Sequence, residues 1–167
     1  MVHRTAMFLT FLAASMMAAC SWFVAPTQAQ ESRLALVIGN QNYKVQQKLN
    51  NPLADSRDMA TVLRDLGFTV TVKTDVDLAQ MTAAVRRFGS QLKTQQGVGL
   101  FYFSGHGYQQ DGKNYLVPIE AEVRSAGDVY TLYHADRVLT EMEAAGNGLN
   151  IVILDACRSD IARSRGG

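Results

Sequence analysis

His106 sits between two glycines in the stretch FYFSGHGYQQ, and Cys157 closes the apolar run NIVILDAC 51 residues further on. An imidazole and a thiol can form a reactive pair. A free thiol is mostly protonated near neutral pH, and only the thiolate is a strong nucleophile. A neighbouring imidazole that takes the proton or steadies the thiolate therefore creates a reactive centre. Gly105 and Gly107 allow close approach of a substrate to the backbone, and the bare amide of Gly107 is suited to donate to an oxyanion. Each residue also has a plainer account. A lone cysteine at a strand end is usually a small buried hydrophobe, and a histidine beside glycines is often a loop residue. Their joint occurrence at the ends of two apolar runs favours chemistry.

The remaining candidates are weaker. His3 lies in the N-terminal leader, and His134, in LYHAD, reads as a surface or helix-start residue. No cluster of His, Cys and acids has metal-ligand spacing, and GNGLN is no phosphate loop. Neither a metal nor a cofactor is expected, and a calcium requirement is not legible.

The elements that must position the pair alternate along the chain. LALVIGN is a continuous apolar run, as expected for a strand buried on both faces. QNYKVQQKLNN reads as a loop. Pro52 opens a helix through about Leu66, with Met59, Val62, Leu63 and Leu66 on one face. FTVTVKT is a β-branched strand, and the next helix carries Leu78, Met81, Ala84, Val85, Phe88 and Leu92 at helical spacing. VGLFYFS is a third strand, followed by a hairpin turning at Asp111-Gly112. A helix over about 135–145 and a strand over Asn150 to Ala156 complete the series. Such alternation predicts an α/β fold, a mostly parallel sheet with helices on both faces. In open sheets of this kind sites gather beyond the carboxyl ends of the strands, which is where His106 and Cys157 are expected.

The chain has 167 residues, 47% hydrophobic and 19% charged, which suits one domain with a single core. A formal net charge of +1 with scattered Lys and Arg gives no electrostatic support for nucleic-acid binding. Residues 1–29 read as a secretory signal: a short apolar region, then small residues at Thr27 and Ala29 before cleavage. Export to the periplasm or the extracellular space is expected, with residues 30–167 as the mature domain. Membrane association would require an uncleaved signal or lipid attachment at Cys20. Loss of the leader removes Arg4 and no acid, so the mature chain carries 15 basic and 15 acidic residues. It also keeps only Cys157, which excludes an internal disulfide.

These residues resemble a known family. A Gln-Ala-Cys stretch followed by Arg, Gln or Gly, with a histidine about 50 residues upstream, is a caspase signature. Here DACRS follows SGHG at that distance, and LALVIGNQNY, LNNPLADSRDMATVLRDLGF, FYFSGHG, DGKNYLVP and ILDACR occur in the family's order. The mature segment resembles the large catalytic subunit of a caspase-like peptidase, nearest the bacterial relatives of metacaspases called orthocaspases. The resemblance implies a three-layer sandwich and a cysteine endopeptidase acting on peptides or proteins. Cys157 would be its nucleophile, His106 its acid–base partner, and the amides of Gly107 and Cys157 its oxyanion hole. Asp155 stands where animal caspases carry Gln and metacaspases typically carry Asp. It lies two residues before Cys157, so along a strand it shares a face with the nucleophile. Asp55 matches a second acid that metacaspases place in the pocket for the residue before the cut bond. Two carboxylates there imply cleavage after Arg or Lys.

The resemblance also implies a smaller segment that adds strands to the sheet and completes the cleft. The last strand is therefore expected near a sheet edge, open to a small-subunit-like segment or a second chain. The main rival is a caspase-fold protein impaired in catalysis that binds peptides or partners. A flavodoxin-like domain ranks lower, because GNQNYKVQQ offers one glycine where a phosphate- or flavin-binding loop is needed.

Overall fold

A computed structural model describes residues 31–160, so the expected leader and Cys20 lie outside the described residues. Strand β1 (Arg33–Gly39) is buried along its whole length after Arg33. Helix α1 (Pro52–Asp65) starts with proline in its first turn, where a missing N–H costs nothing. Strand β2 (Thr69–Thr74) leads to helix α2 (Leu78–Gln95). Asp77 caps α2, accepting from the backbone of Gln80 while the Gln80 side chain accepts from the Asp77 backbone. Strands β3 (Val98–Gln110) and β4 (Lys113–Leu116) form a hairpin, and a 3-10 turn (Ala126–Thr131) precedes β5 (Tyr133–His134). Helix α3 (Asp136–Glu143) and strand β6 (Leu149–Asp160) follow.

The four parallel strands run in the order β2-β1-β3-β6. Strand β6 pairs with β3 from Val98↔Leu149 to Gln109↔Asp160. The opposite edge of β3 carries β1 up to Ser104 and then β4 from Gly107. Among the described residues the outer edge of β6 has no partner.

Alternation along the strands feeds two cores. Leu36, Ile38, Phe101, Phe103 and the half-buried Val152 and Leu154 meet α2 and α3 through Met81, Val85, Phe88, Leu92, Val138 and Met142. Ala35, Val37, Leu100, Tyr102 and Ile151 meet α1 through Leu63 and Met59. Each large apolar side chain fully withdrawn from water contributes about 2 kcal/mol. A third cluster, Tyr43, Val117, Ala121 and Leu132, packs beside the hairpin. The sheet with helices on both faces is the expected α/β sandwich.

The hairpin also turns where expected, with φ of 50° at Asp111 and 74° at Gly112, the left-handed pair that a two-residue turn requires. Other expectations are corrected. Strand β3 does not stop at Ser104 and β6 does not stop at Ala156. Where β1 ends, β4 takes over the same edge of β3, while β6 keeps the other, so the ladder runs through Ser-Gly-His-Gly. His106 and Cys157 therefore lie within paired strands rather than beyond their ends. Helix α1 buries Pro52, Ser56, Ala60 and Leu63, a stripe that leaves Val62 and Leu66 on its flank, 54% and 55% exposed. The 3-10 turn and β5 were not expected from sequence. His134 does take a helix-start role, its Nδ1 accepting from the backbone N–H of Asp136 at 3.2 Å.

Candidate active site

Leu100, Tyr102, Ser104 and His106 alternate along β3 with Phe101, Phe103 and Gly105, so they share one side of the strand. Leu100 and Tyr102 pack in the α1 core, which identifies that side as the α1 face. Paired residues of neighbouring strands share a face. The register Tyr102↔Ile153, Ser104↔Asp155 and His106↔Cys157 therefore sets the two sequence candidates side by side.

His106 is half-buried and its ring is held from outside the sheet. Its Nε2 lies 2.7 Å from the backbone carbonyl of Gln47. A carbonyl only accepts, so Nε2 carries the proton and the neutral ring has its lone pair on Nδ1. That tautomer anchors one ring nitrogen and leaves the other with a lone pair that can accept a proton. Below the ring, the backbone N–H of His106 donates to the Tyr43 hydroxyl at 2.8 Å, and the two ring centroids are 4.5 Å apart. Burial pushes the Tyr43 phenol well above its ordinary range, so it stays neutral.

Gln47 and Tyr43 belong to the polar loop after β1, and two residues pin that loop. Asn40, fully buried, donates to the carbonyls of Val76 and Val117 at 3.1 Å and accepts from the Val76 N–H at 2.9 Å. Asp75 accepts from the backbone of Gln41 and of Asn42, both at 2.9 Å, and from the Asn42 side chain at 2.8 Å. Its φ of 51° is left-handed, a conformation that Asp and Asn tolerate better than most residues. Burial raises the Asp75 pKa, but the Asn42 amides and the Gln41 amide together outweigh it. The carboxyl ends below its ordinary range.

The two predicted acids also come together. Asp155 accepts from the Tyr102 hydroxyl at 2.9 Å, and Asp55, in the first turn of α1, accepts from the Ser104 hydroxyl at 3.3 Å. Ser104 pairs in register with Asp155, so one serine sits between the two carboxylates. The Tyr102 phenol is pushed above its ordinary range by burial first, then by its hydrogen bond to Asp155 and that carboxylate's charge, with Asp55 adding to it. Neither acid has an ion-pair partner among the described residues.

Gly107 is the site residue whose surroundings differ most from expectation. It is a strand residue paired with Leu116 on one edge and Arg158 on the other. Gly105 does not open the backbone to a substrate; a Cβ there would lie 2.6 Å from the Tyr43 hydroxyl oxygen and 2.8 Å from Phe103. The side chains of Tyr43, Tyr102 and Ser104 and the Gln47 carbonyl were not foreseen. Tyr102 and Ser104 carry a signal, spaced four and two residues before His106. Gln47 carries none, because a main-chain acceptor is independent of residue type.

The α/β fold sets a histidine in register with a cysteine on neighbouring parallel strands, and comparison with known proteins gives the family. The caspase domain profile matches residues 32–166. Human mucosa-associated lymphoid tissue lymphoma translocation protein 1 is 35% identical over 129 residues, 77% of this chain and 15% of the human protein. Its mouse homolog is 34% identical over the same shares. Rat caspase-1 is 29% identical over 133 residues, covering 77% of this chain and 32% of the rat protein. The chain belongs to the caspase-domain peptidase family. It spans between 15% and 32% of the lengths of these relatives.

The loop anchor yields a pH-dependent prediction. A carboxyl whose folded pKa is lowered adds stability above its unfolded pKa of roughly 3.9, and that stability is lost as pH falls through the folded value. Asp75→Asn keeps the backbone preference and removes the charge. At pH 7 it is expected to cost about 1 kcal/mol or less, since the group is partly exposed. The urea midpoints of the two proteins converge in acid; a gap as wide in acid as at pH 7 contradicts the assignment.

Proposed function

We propose that this chain carries the catalytic centre of a cysteine endopeptidase that cuts after basic residues, Arg before Lys. The observation that supports it best is the His106↔Cys157 register together with an imidazole already tied through Nε2. In this reading Nδ1 of His106 takes the thiol proton and the Cys157 sulfur attacks the substrate carbonyl carbon. The carbonyl electrons move to oxygen. When the tetrahedral species collapses, the imidazolium returns the proton to the leaving amine and an acyl-enzyme remains. Water, deprotonated by the same imidazole, then attacks the acyl carbon and releases the thiol. The amides of Gly107 and Cys157 are assigned to the oxyanion. For both to meet it, the ladder between Gly107 and Arg158 has to part.

Specificity is assigned to Asp55 and Asp155. Two carboxylates with no ion-pair partner among the described side chains leave negative charge that a guanidinium neutralises through paired hydrogen bonds, whereas an acidic side chain meets like charge. A peptide or protein is the substrate. The outer edge of β6, unpartnered among the described residues and with Leu149 and Ile153 exposed, favours a second reading in which the chain works as one subunit. There it awaits a small-subunit-like segment or second chain, and is impaired in turnover without it. We also propose export, with the leader removed after Ala29.

A panel of fluorogenic peptides, assayed on wild type and Asp155→Ala, tests the first reading. Cleavage after Arg, slower cleavage after Lys, none after Asp, and loss of the Arg preference in the variant are expected. Cleavage after Asp, or an unchanged preference in Asp155→Ala, contradicts it. Peptide binding without turnover favours the second reading. For export, mass spectrometry of protein from its native host is expected to find Gln30 at the N-terminus; an intact Met1 or a lipid on Cys20 contradicts that.

A further inference from the structure

In an antiparallel pair, directly opposed residues of one type exchange two backbone hydrogen bonds. The β3–β4 register Gly107↔Leu116, extended by one residue, sets His106 opposite Val117. One of the two bonds is present: the Val117 N–H donates to the His106 carbonyl at 3.0 Å. The other is not made directly. The Tyr43 hydroxyl stands in its place, accepting from the His106 N–H at 2.8 Å and donating to the Val117 carbonyl at 3.4 Å. A side chain from the loop after β1 thus completes the ladder at the candidate base.

The room for it is built in. Tyr43 is 1% exposed, and its hydroxyl fills the space that a side chain at position 105 would occupy. Gly105 is therefore required for packing against the phenol. The phenol ring lies tilted at 52° against the imidazole, and the Lys44 N–H, next along the chain, is tied to the Ile119 carbonyl at 2.8 Å. The same short loop carries the Gln47 carbonyl that holds Nε2.

We propose that Tyr43 is the positioning residue of the thiol–imidazole pair, fixing the backbone and ring plane of His106 so that Nδ1 is presented to the thiol. This rests on the reading of His106 and Cys157 as a pair. A phenol held neutral and buried suits that task, since it neither titrates near neutral pH nor competes for the thiol proton. Without the hydroxyl, the His106 N–H and the Val117 carbonyl each lose a partner, and the strand there closes or twists to find one another. Either movement turns the imidazole.

The test measures alkylation of Cys157 in the full chain with iodoacetamide, followed by mass spectrometry from pH 5 to pH 10. Wild type, Tyr43→Phe and His106→Ala are compared, with circular dichroism reporting the fold. Wild type is expected to react well below the range of an ordinary thiol, about 8.5, and His106→Ala to follow an ordinary thiol. Tyr43→Phe is expected between them, roughly tenfold slower than wild type at pH 6.5, as for a thiol pKa raised by about one unit. At high pH all three reach limits within roughly tenfold of one another, since thiolate nucleophilicity rises only modestly with pKa. A merely loosened fold would instead scale the rate at every pH without moving the profile along the pH axis. A Tyr43→Phe profile that overlays wild type while His106→Ala departs from it overturns the proposal and leaves the pair intact. An His106→Ala profile that overlays wild type overturns the pair itself, and the proposal with it. Should Tyr43→Phe fail to fold, Gly105→Ala decides, because its methyl displaces the hydroxyl and keeps the ring. A shift towards higher pH supports the proposal, and a wild-type profile overturns it.

Discussion

The in-register parallel pairing of β3 with β6 is the constraint on which everything else depends. Each residue of β3 from Val98 to Gln109 meets the residue 51 positions later. The side-chain period of a strand is two, so a slip of one residue would send every β6 side chain to the other face. Val152 and Leu154 would leave the α2–α3 core, and Asp155 would turn into it without a partner. Burying that charge would cost several kcal/mol, so packing enforces the register. Gly99 adds to this, since a Cβ there would lie 2.8 Å from a Leu92 methyl. The cores on both faces thus hold His106 level with Cys157, and Ser104 level with Asp155.

The pair is held from two directions. The sheet sets the positions, and the loop after β1 sets the imidazole. That loop has no regular structure, yet it is tied at Asn40, at Asp75, at Lys44 and through Tyr43. Its order comes from polar groups satisfied by specific partners, together with burial of the Tyr43 ring in the third apolar cluster. The division makes physical sense. A parallel ladder is rigid and defines distance, whereas a main-chain carbonyl on a loop can choose a tautomer without adding a titratable group.

Much of the scaffold was legible in the sequence. The apolar run of β1, the stripe of Met81, Val85, Phe88 and Leu92 on α2, and the Asp-Gly turn each express one local rule strongly. What misled was also local. Ser-Gly-His-Gly reads as a break because glycine is poor in strands, but a second partner strand on the same edge overrides that preference. Val62 and Leu66 read as core because they are apolar at near-helical spacing, yet α1 turns a stripe containing Ser56 and Ala60 to the sheet. The acids Asp55 and Asp155 were named from the sequence, Asp155 through alternation beside Cys157 and Asp55 through resemblance, and each accepts from a hydroxyl of β3. Their hydroxyl partners Tyr102 and Ser104 follow the same alternation along β3. Tyr43 was not legible, since an aromatic residue in a polar loop gives no hint that its hydroxyl completes a distant ladder.

The most direct measurement is a crystal structure of the full chain after reaction with an arginyl chloromethyl ketone peptide. Chloride leaves as a thiolate alkylates, so the adduct marks the nucleophile, and its side chain marks the specificity pocket. The account predicts a thioether on Cys157, the imidazole of His106 beside it with Nε2 still on the Gln47 carbonyl, and the guanidinium between Asp55 and Asp155. An adduct on another residue, or a guanidinium left in solvent away from both acids, would contradict it.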